Sequence, residues 1–155
     1  MTHLKPYSLW LGHAGDGRNI RQLFDTGIQA VVHLAAEEPS PPLPRDLLFF
    51  RFPLVDSAEN NGDWMHLALV TVAHLLKMRV PTLVYCSAGQ SRTPVVVAGA
   101  LAVFRQAEPE QCLKEVLKGR PADVLPALWA DMKTQWQQIM AFHDHLPGQS
   151  RNNRS

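Results

Sequence analysis

The chain has 155 residues, and 46% of them are hydrophobic, a composition that predicts one globular domain with its own core and excludes wholesale disorder. Its net charge is +1, with 15 Lys and Arg against 14 Asp and Glu, so no basic surface for nucleic acid is predicted. Its two cysteines cannot form a disulfide framework, and no apolar run resembles a signal peptide or a membrane span. We therefore expect a cytoplasmic protein.

Alternating apolar and polar segments predict the fold class. The elements expected in chain order are a strand at 8–11, a loop at 12–18, a helix at 19–26, a strand at 28–36, an irregular proline-rich segment at 37–44, a strand at 47–55, a loop at 56–62, a helix at 63–78, a strand at 82–85 and helices at 93–104, 109–118 and 126–145. This alternation predicts an α/β fold with a central, mostly parallel sheet of about four to five strands and helices on both faces. We expect a single domain over residues 1–146 and a flexible polar tail at 147–155.

The helix predicted at 63–78 has one apolar stripe. Asp63 is expected to cap its N-terminus. The side chains predicted to face the core are those of Trp64, Leu67, Ala68, Thr71, Val72, Leu75 and Leu76, which recur at helical spacing.

Residues 81–94 carry the strongest chemical signal. A short apolar strand ends at Cys86, and Pro94 fits the first turn of the apolar helix that follows. Small residues between them can curl their N–H groups into an anion-binding cradle at that helix N-terminus. Arg92 adds a planar fork that matches phosphate oxygens, and the same field favours a nucleophilic thiolate at Cys86. The residues predicted to bind phosphate are Ser87, Ala88, Gly89, Gln90, Ser91 and Arg92.

The pattern from Cys86 through five residues to Arg92 and Thr93 resembles the signature of the protein tyrosine phosphatase superfamily, and the chain is similar to its dual-specificity phosphatases. The strand before the loop and the apolar helix after it make the match specific. Weaker likeness extends over residues 10–12, 27–34, 52–56 and 118–121. The resemblance implies the cysteine-phosphatase fold and a phosphocysteine intermediate.

Four carboxylates in the preceding segment are candidates for the general acid that such a reaction needs. Asp46 should lie at the far end of the predicted strand, and Asp63 is more simply a helix cap. Asp56 directly follows the strand, so we expect it on the same carboxyl-end rim as Cys86. The resemblance also places the acid on this loop. Asp56 is therefore the predicted acid, and Glu59 is the reserve.

Two further side chains have predicted supporting roles. Thr93 can donate a hydrogen bond to the cysteine sulfur and ease its departure from the intermediate. The alternative is that its hydroxyl only satisfies the first turn of the helix. By resemblance, Arg120 braces the active-site region; otherwise it is a solvated surface charge.

Two positions depart from the family pattern. Tyr85 stands where most members have a histidine before the cysteine, and Ala127 stands where many have an asparagine. By resemblance, the histidine orders the loop and the asparagine braces it. We therefore expect a loop that is less well braced than its motif implies.

Three functions are compatible with this pattern. The leading one is a cysteine-dependent phosphatase, a phosphoric monoester hydrolase acting on phosphotyrosine and phosphoserine or phosphothreonine in proteins. A rhodanese-type sulfurtransferase also holds a cysteine between a strand and a helix, but its loop is usually one residue shorter and needs no acid. A non-catalytic phosphate-binding pseudophosphatase is the third, and retention of Cys86, Arg92 and Asp56 argues against it.

The expected ligands follow from the loop. No cofactor or metal is predicted, because the chain has no His-Glu-x-x-His motif and no paired cysteine spacing. The loop holds no lysine, so a singly phosphorylated protein or a small phosphomonoester fits it better than a polyphosphorylated lipid. Neither nucleic acid nor a membrane span is expected, and the pattern does not predict the oligomeric state.

Overall fold

The computed structural model describes residues 1–144 as a five-stranded sheet with helices packed against it. The strands are β1 (Thr2–His3), β2 (Leu9–Gly12), β3 (Ala30–Ala35), β4 (Leu48–Leu54) and β5 (Thr82–Tyr85). The helices are α1 (Ala14–Arg18), α2 (Ile20–Thr26), α3 (Gly62–Lys77), α4 (Arg92–Arg105), α5 (Pro109–Leu117) and α6 (Pro126–Asp144). The predicted boundary at residue 146 and the predicted tail at 147–155 lie outside the described residues.

The strand order is β1-β2-β5-β3-β4, and each neighbouring pair is parallel except β1 with β2. The predicted α/β fold with a mostly parallel sheet is therefore confirmed. All four residues of β5 are buried, as expected for a short apolar strand with neighbours on both sides. Because parallel strands end at one edge of a sheet, the residues that follow β3, β4 and β5 meet at a common rim.

The two faces of the sheet belong to two apolar cores. Val32 and Val84 contribute to the larger core, together with α3, α4, α5 and α6. Val31 and Leu83, one residue along in each strand, contribute to the smaller core with α1 and α2. This alternation follows from the two-residue period of a strand, and it confirms helices on both faces. No helix within residues 1–144 is both long and apolar enough to cross a membrane.

The structure corrects the predicted face of α3. Trp64 and Leu67, expected in the core, are 42% and 49% exposed. The helix contacts α4 and α6 as well as β4, and Leu69 packs so closely on Gly99 of α4 that an added Cβ there would lie 2.6 Å from it. The buried face is therefore turned toward Leu69. Its residues are Met65, Ala68, Leu69, Val72, Ala73, Leu75 and Leu76.

The structure corrects two local predictions, the Asp63 cap of α3 and the loop at 12–18. The N-cap of α3 is Asn61, whose side chain accepts a hydrogen bond from the Asp63 N–H at 2.9 Å. The predicted loop at 12–18 is wrong, because His13 and Asp16 form a capping box that starts α1. Three glycines in this segment argue against a helix, but Gly17 is needed there: an added Cβ would lie 2.4 Å from the ring of Tyr85.

Candidate active site

Cys86 follows β5 on the floor of the loop that leads into α4, and it is 2% exposed. Its Sγ accepts a hydrogen bond from the Gly89 N–H at 3.2 Å. Gly89 has a φ of +74°, and a Cβ added there would lie 2.7 Å from the carbonyl oxygen of Gly12. The loop thus requires glycine both for its backbone angle and for its approach to β2. The Ala14 N–H donates to the Ser87 carbonyl at 3.0 Å and holds the start of the loop.

The loop presents backbone donors, as a phosphate cradle requires. The N–H groups of Ala88, Gln90 and Ser91 have no hydrogen-bond acceptor within residues 1–144. They immediately precede the first turn of α4, where the helix dipole adds positive potential. This part of the chain can therefore bind an anion through its main chain.

A cavity of about 170 Å³ lies over the loop. Its lining residues are Asp56, Cys86, Ser87, Ala88, Gln90, Ser91, Arg92 and Asp123. The fold therefore brings the predicted nucleophile, arginine and acid into one cavity, although Asp56 and Cys86 are 30 positions apart in the chain. Of the other predicted site residues, Gly89, Thr93 and Glu59 do not line it.

Arg92 is buried and is held by a carboxylate, Glu37. Both terminal nitrogens of Arg92 donate to Glu37, with Nη1 2.6 Å from Oε2, and Nη1 also donates to the Leu54 carbonyl at 2.9 Å. The Ser87 hydroxyl donates to the same carboxylate at 2.6 Å. The hydrogen bonds from Arg92 lower the pKa of Glu37 to about 2, so Glu37 is ionised at neutral pH.

The guanidinium of Arg92 keeps one donor for a ligand. Burial is the largest single effect and lowers the pKa of Arg92. The hydrogen bonds to Glu37, together with charge interactions with Glu37, Cys86 and Asp56, outweigh burial, so the pKa of Arg92 is raised. Its Nε is buried and has no partner among residues 1–144. Because buried donors are normally paired, this Nε–H is available to a bound oxyanion.

Glu37 is absent from the predicted site, although a sequence signal for it exists. It lies two residues after Ala35, the last residue of β3, on the same rim as Cys86. The strand-end argument that selects Asp56 applies equally to Glu37. Glu37 begins the proline-rich segment 37–44, for which the sequence predicts only irregular structure.

Ser91 connects Asp56 to the loop of residues 86–91 between β5 and α4, called the phosphate loop below. The Ser91 hydroxyl donates to Oδ1 of Asp56 at 2.7 Å and accepts from the Leu125 N–H at 3.2 Å. Ser91 is 7% exposed, so this hydroxyl is a buried junction between three chain segments. Glu59 is exposed, and its N–H donates to the Ser57 hydroxyl at 3.1 Å. The geometry favours Asp56 over Glu59.

Neither supporting role predicted from the sequence is seen as a direct contact. The Thr93 hydroxyl is buried without a partner among the residues that the structure describes, so it does not donate to the sulfur of Cys86. Arg120 is half-buried, and burial lowers the pKa of its guanidinium. It lines a separate cavity of about 190 Å³ that has Ala88 and Gly89 in its wall. Arg120 is thus neither fully solvated nor hydrogen-bonded to the loop.

Tyr85 occupies the smaller core and does not reach the loop. Its ring stacks on that of His33, with centroids 4.8 Å apart and planes 10° apart. His33 is fully buried, and burial lowers its pKa to about 4. Burial also raises the pKa of Tyr85 to about 12. Both rings are therefore neutral at physiological pH, and they join β3 to β5 directly below the loop.

The main chain braces the loop near Ala127, where the family pattern has an asparagine. The Asp123 N–H donates to the Gln90 carbonyl at 2.9 Å. The Leu125 N–H donates to Ser91, as described above. Two bonds from the segment before α6 therefore hold the loop without an asparagine side chain.

Comparisons with known proteins are informative at the level of structure. No family model matches the chain, and no curated protein does. Human DUSP28 superposes with a TM-score of 0.79 at 22% identity, covering 92% of this chain and 99% of that one. PTPMT1, also solved in complex with PI(5)P, has a TM-score of 0.74 at 18% identity, covering 92% and 98%.

A third match is the human tyrosine phosphatase-like serine/threonine/tyrosine-interacting protein. Its TM-score is 0.73 at 17% identity, and the match covers 92% of this chain and 97% of that one. The chain therefore has the fold of the dual-specificity phosphatase-like proteins of the protein tyrosine phosphatase superfamily, over nearly their whole length.

Proposed function

We propose that the protein is a cysteine-dependent phosphatase that hydrolyses phosphomonoesters through a phosphocysteine on Cys86. The observation that carries this proposal is that Cys86, Arg92 and Asp56 line one cavity. The phosphatases among the structural neighbours support it at the level of fold.

Substrate binding uses donors that are already in place. The phosphate oxygens accept hydrogen bonds from the N–H groups of the loop and from Nε of Arg92. Glu37 holds the two terminal nitrogens of Arg92, so the guanidinium does not reorganise when the phosphate enters. Donors fixed in advance stabilise developing charge more effectively than donors that must reorient.

The reaction then proceeds in two displacements. In the first, the thiolate of Cys86 attacks phosphorus, the S–P bond forms, and the bond from phosphorus to the leaving oxygen breaks as that oxygen takes a proton from Asp56. In the second, the Asp56 carboxylate removes a proton from water. The water oxygen attacks phosphorus, the S–P bond breaks, and inorganic phosphate leaves with the thiolate restored.

The proposed substrates are proteins that carry phosphotyrosine, phosphoserine or phosphothreonine. The loop has no lysine to neutralise further phosphates, although the PTPMT1 complex with PI(5)P makes a phosphoinositide the natural competitor. Asp56 in the cavity supports a phosphatase over a sulfurtransferase or a pseudophosphatase, because neither of those needs an acid. We keep the cytoplasm as the proposed compartment, since reducing conditions preserve a catalytic thiol.

The acid assignment is tested by a matched pair of variants on one loop. Asp56→Asn should lower kcat for a phosphotyrosine peptide by about 10²- to 10⁴-fold, the usual contribution of general acid–base catalysis. Glu59→Gln, which removes a charge three residues away, should leave kcat nearly unchanged. Phosphate release by both variants is measured across pH. A large loss of kcat in Glu59→Gln but not in Asp56→Asn would assign the acid to Glu59.

Sulfide release from thiosulfate without phosphate release would instead identify the protein as a sulfurtransferase.

A further inference from the structure

A second acidic residue, Asp123, lines the cavity with Cys86 and Asp56. Asp123 lies between α5 and α6, and its backbone bond to the Gln90 carbonyl fixes it beside the phosphate loop. It is exposed. Within residues 1–144 its carboxylate takes part in no ion pair.

The lining of the cavity carries more negative than positive charge. Arg92 is the one cationic residue among those that line the cavity. When substrate binds, Asp56 carries the proton that it later donates, so the negative groups are Asp123 and the proposed thiolate of Cys86. Glu37 already pairs with Arg92 through both of its oxygens. A phosphate dianion that enters therefore meets excess negative charge, which the N–H dipoles of the loop offset in part.

In the proposed mechanism Asp56 lies near the leaving oxygen because it donates a proton to it. Asp123 has no role in that mechanism. An unpaired carboxylate beside a phosphate raises the free energy of the complex. A substrate that brings its own cation removes this penalty, because the cation pairs with Asp123 at the rim while the phosphate binds the loop. Acidic peptides and polyphosphorylated lipids increase the penalty.

We propose that Asp123 is a specificity-determining residue that selects phosphopeptides with Lys or Arg beside the phosphorylated residue. The proposal rests on the phosphatase function proposed above and narrows its substrate class.

The test compares three phosphotyrosine peptides that differ only in their two flanking residues, which are Arg, Ala or Glu. We expect kcat/KM to fall in the order Arg, Ala, Glu. Asp123→Asn should reduce the Arg-to-Glu ratio about fivefold, as one charge pair at a solvated rim allows. Raising NaCl to about 0.5 M should reduce the same ratio by screening. Asp123→Glu, which keeps the negative charge, should retain most of the wild-type Arg-to-Glu ratio of kcat/KM.

The control is Asp25→Asn, which removes the same charge from an exposed position on α2, against the opposite face of the sheet. It should keep the wild-type ratio. A wild-type ratio at or below one, or a ratio that Asp123→Asn leaves unchanged, would overturn the proposal. So would an equal fall in kcat on all three peptides with an altered pH profile, because Asp123 would then be a proton donor.

Binding of the same peptides to Cys86→Ser, measured by fluorescence anisotropy, separates this proposal from the proposed function. The Arg-flanked peptide should bind more tightly than the Glu-flanked one without any turnover. A binding preference in a protein whose wild type releases no phosphate would contradict the phosphatase function and leave the selection by Asp123 standing. Equal binding in an active enzyme would contradict the selection alone.

Discussion

Arg92 owes its position to Glu37, although Arg92 is the side chain that would bind phosphate. A buried guanidinium needs a hydrogen-bonded anion, because an unpaired charge in the interior is strongly destabilising. Glu37 supplies that anion through both of its oxygens while its own side chain stays 53% exposed. A surface carboxylate thus holds a buried guanidinium in the candidate site.

The variant Glu37→Gln should remove a pH-dependent part of the protein's stability. The folded-state pKa of Glu37 is about 2, below its ordinary value of 4.5. A depressed carboxyl pKa contributes stability that is fully present above the unfolded pKa and is lost as pH falls through the folded one. The free energies of unfolding of wild type and variant should therefore differ most near neutral pH and converge as pH falls from about 4.5 toward 2.

Urea unfolding at a series of pH values measures this difference. Glu38→Gln is the matched control, because Glu38 pairs with Arg18 at the surface, at 3.4 Å, and such exposed pairs contribute little. A difference between wild type and Glu37→Gln that stayed constant with pH would show that the ion pair is not its source.

Single residues could be predicted where the sequence pattern itself holds the chemistry. Cys86 and Arg92 are separated by one short loop, so local spacing is sufficient to select them. Glu37 reaches Arg92 from 55 positions away, and only the sheet order brings β3 beside β5. The sequence contains Glu37 but not that contact.

At the scale of elements, the site is assembled from the ends of several segments. Glu37 follows β3, Asp56 follows β4 and Cys86 follows β5, and the segment before α6 closes the group. The Ser91 hydroxyl links Asp56, after β4, to Leu125 in the segment before α6. The position of Asp56 relative to Cys86 therefore depends on this junction.

Ser91→Ala should weaken both stability and turnover. The Leu125 N–H would lose its acceptor in a part-buried bond, which should cost less than the roughly 1–3 kcal/mol typical of a fully buried donor. Asp56 would lose the bond that positions it, so kcat should fall more than KM changes, and the pH profile of kcat should shift with it. Ser57→Ala is the control on the loop after β4, since the Ser57 hydroxyl accepts a hydrogen bond only from the exposed Glu59 N–H among residues 1–144. Unchanged kcat and stability in Ser91→Ala would rule out the junction.

Most elements could be predicted because apolar periodicity and glycine stops coincide. Gly27, for example, ends α2 in the left-handed conformation at φ 79°, as its sequence position predicts. The buried face of α3 could not be predicted, because apolar residues surround much of that helix. Only the contact of Leu69 with Gly99 of α4 selects the side that is buried. The helix α1 could not be predicted either, since Gly17 is required by the ring of Tyr85 in β5, a contact made only in the folded chain.

At the scale of the whole molecule, the fold places the candidate site at one edge of the sheet. Within residues 1–144 helices cover both faces of the sheet and bury two cores, so a ligand reaches the sheet at the carboxyl ends of its strands. The strand–helix alternation predicts this rim. The excess of acidic residues in the cavity at this rim cannot be predicted from the net charge of +1, because these residues come from distant segments of the chain.

Formation of a phosphocysteine on Cys86 is the central step of the proposed mechanism. Rapid quenching of the wild-type protein with a phosphotyrosine peptide tests it most directly. Mass spectrometry of the quenched protein should show one phosphoryl group on the peptide that contains Cys86, formed faster than phosphate appears in solution and absent from Cys86→Ser. Phosphate release without a labelled enzyme, or a label on any other residue, would contradict the mechanism.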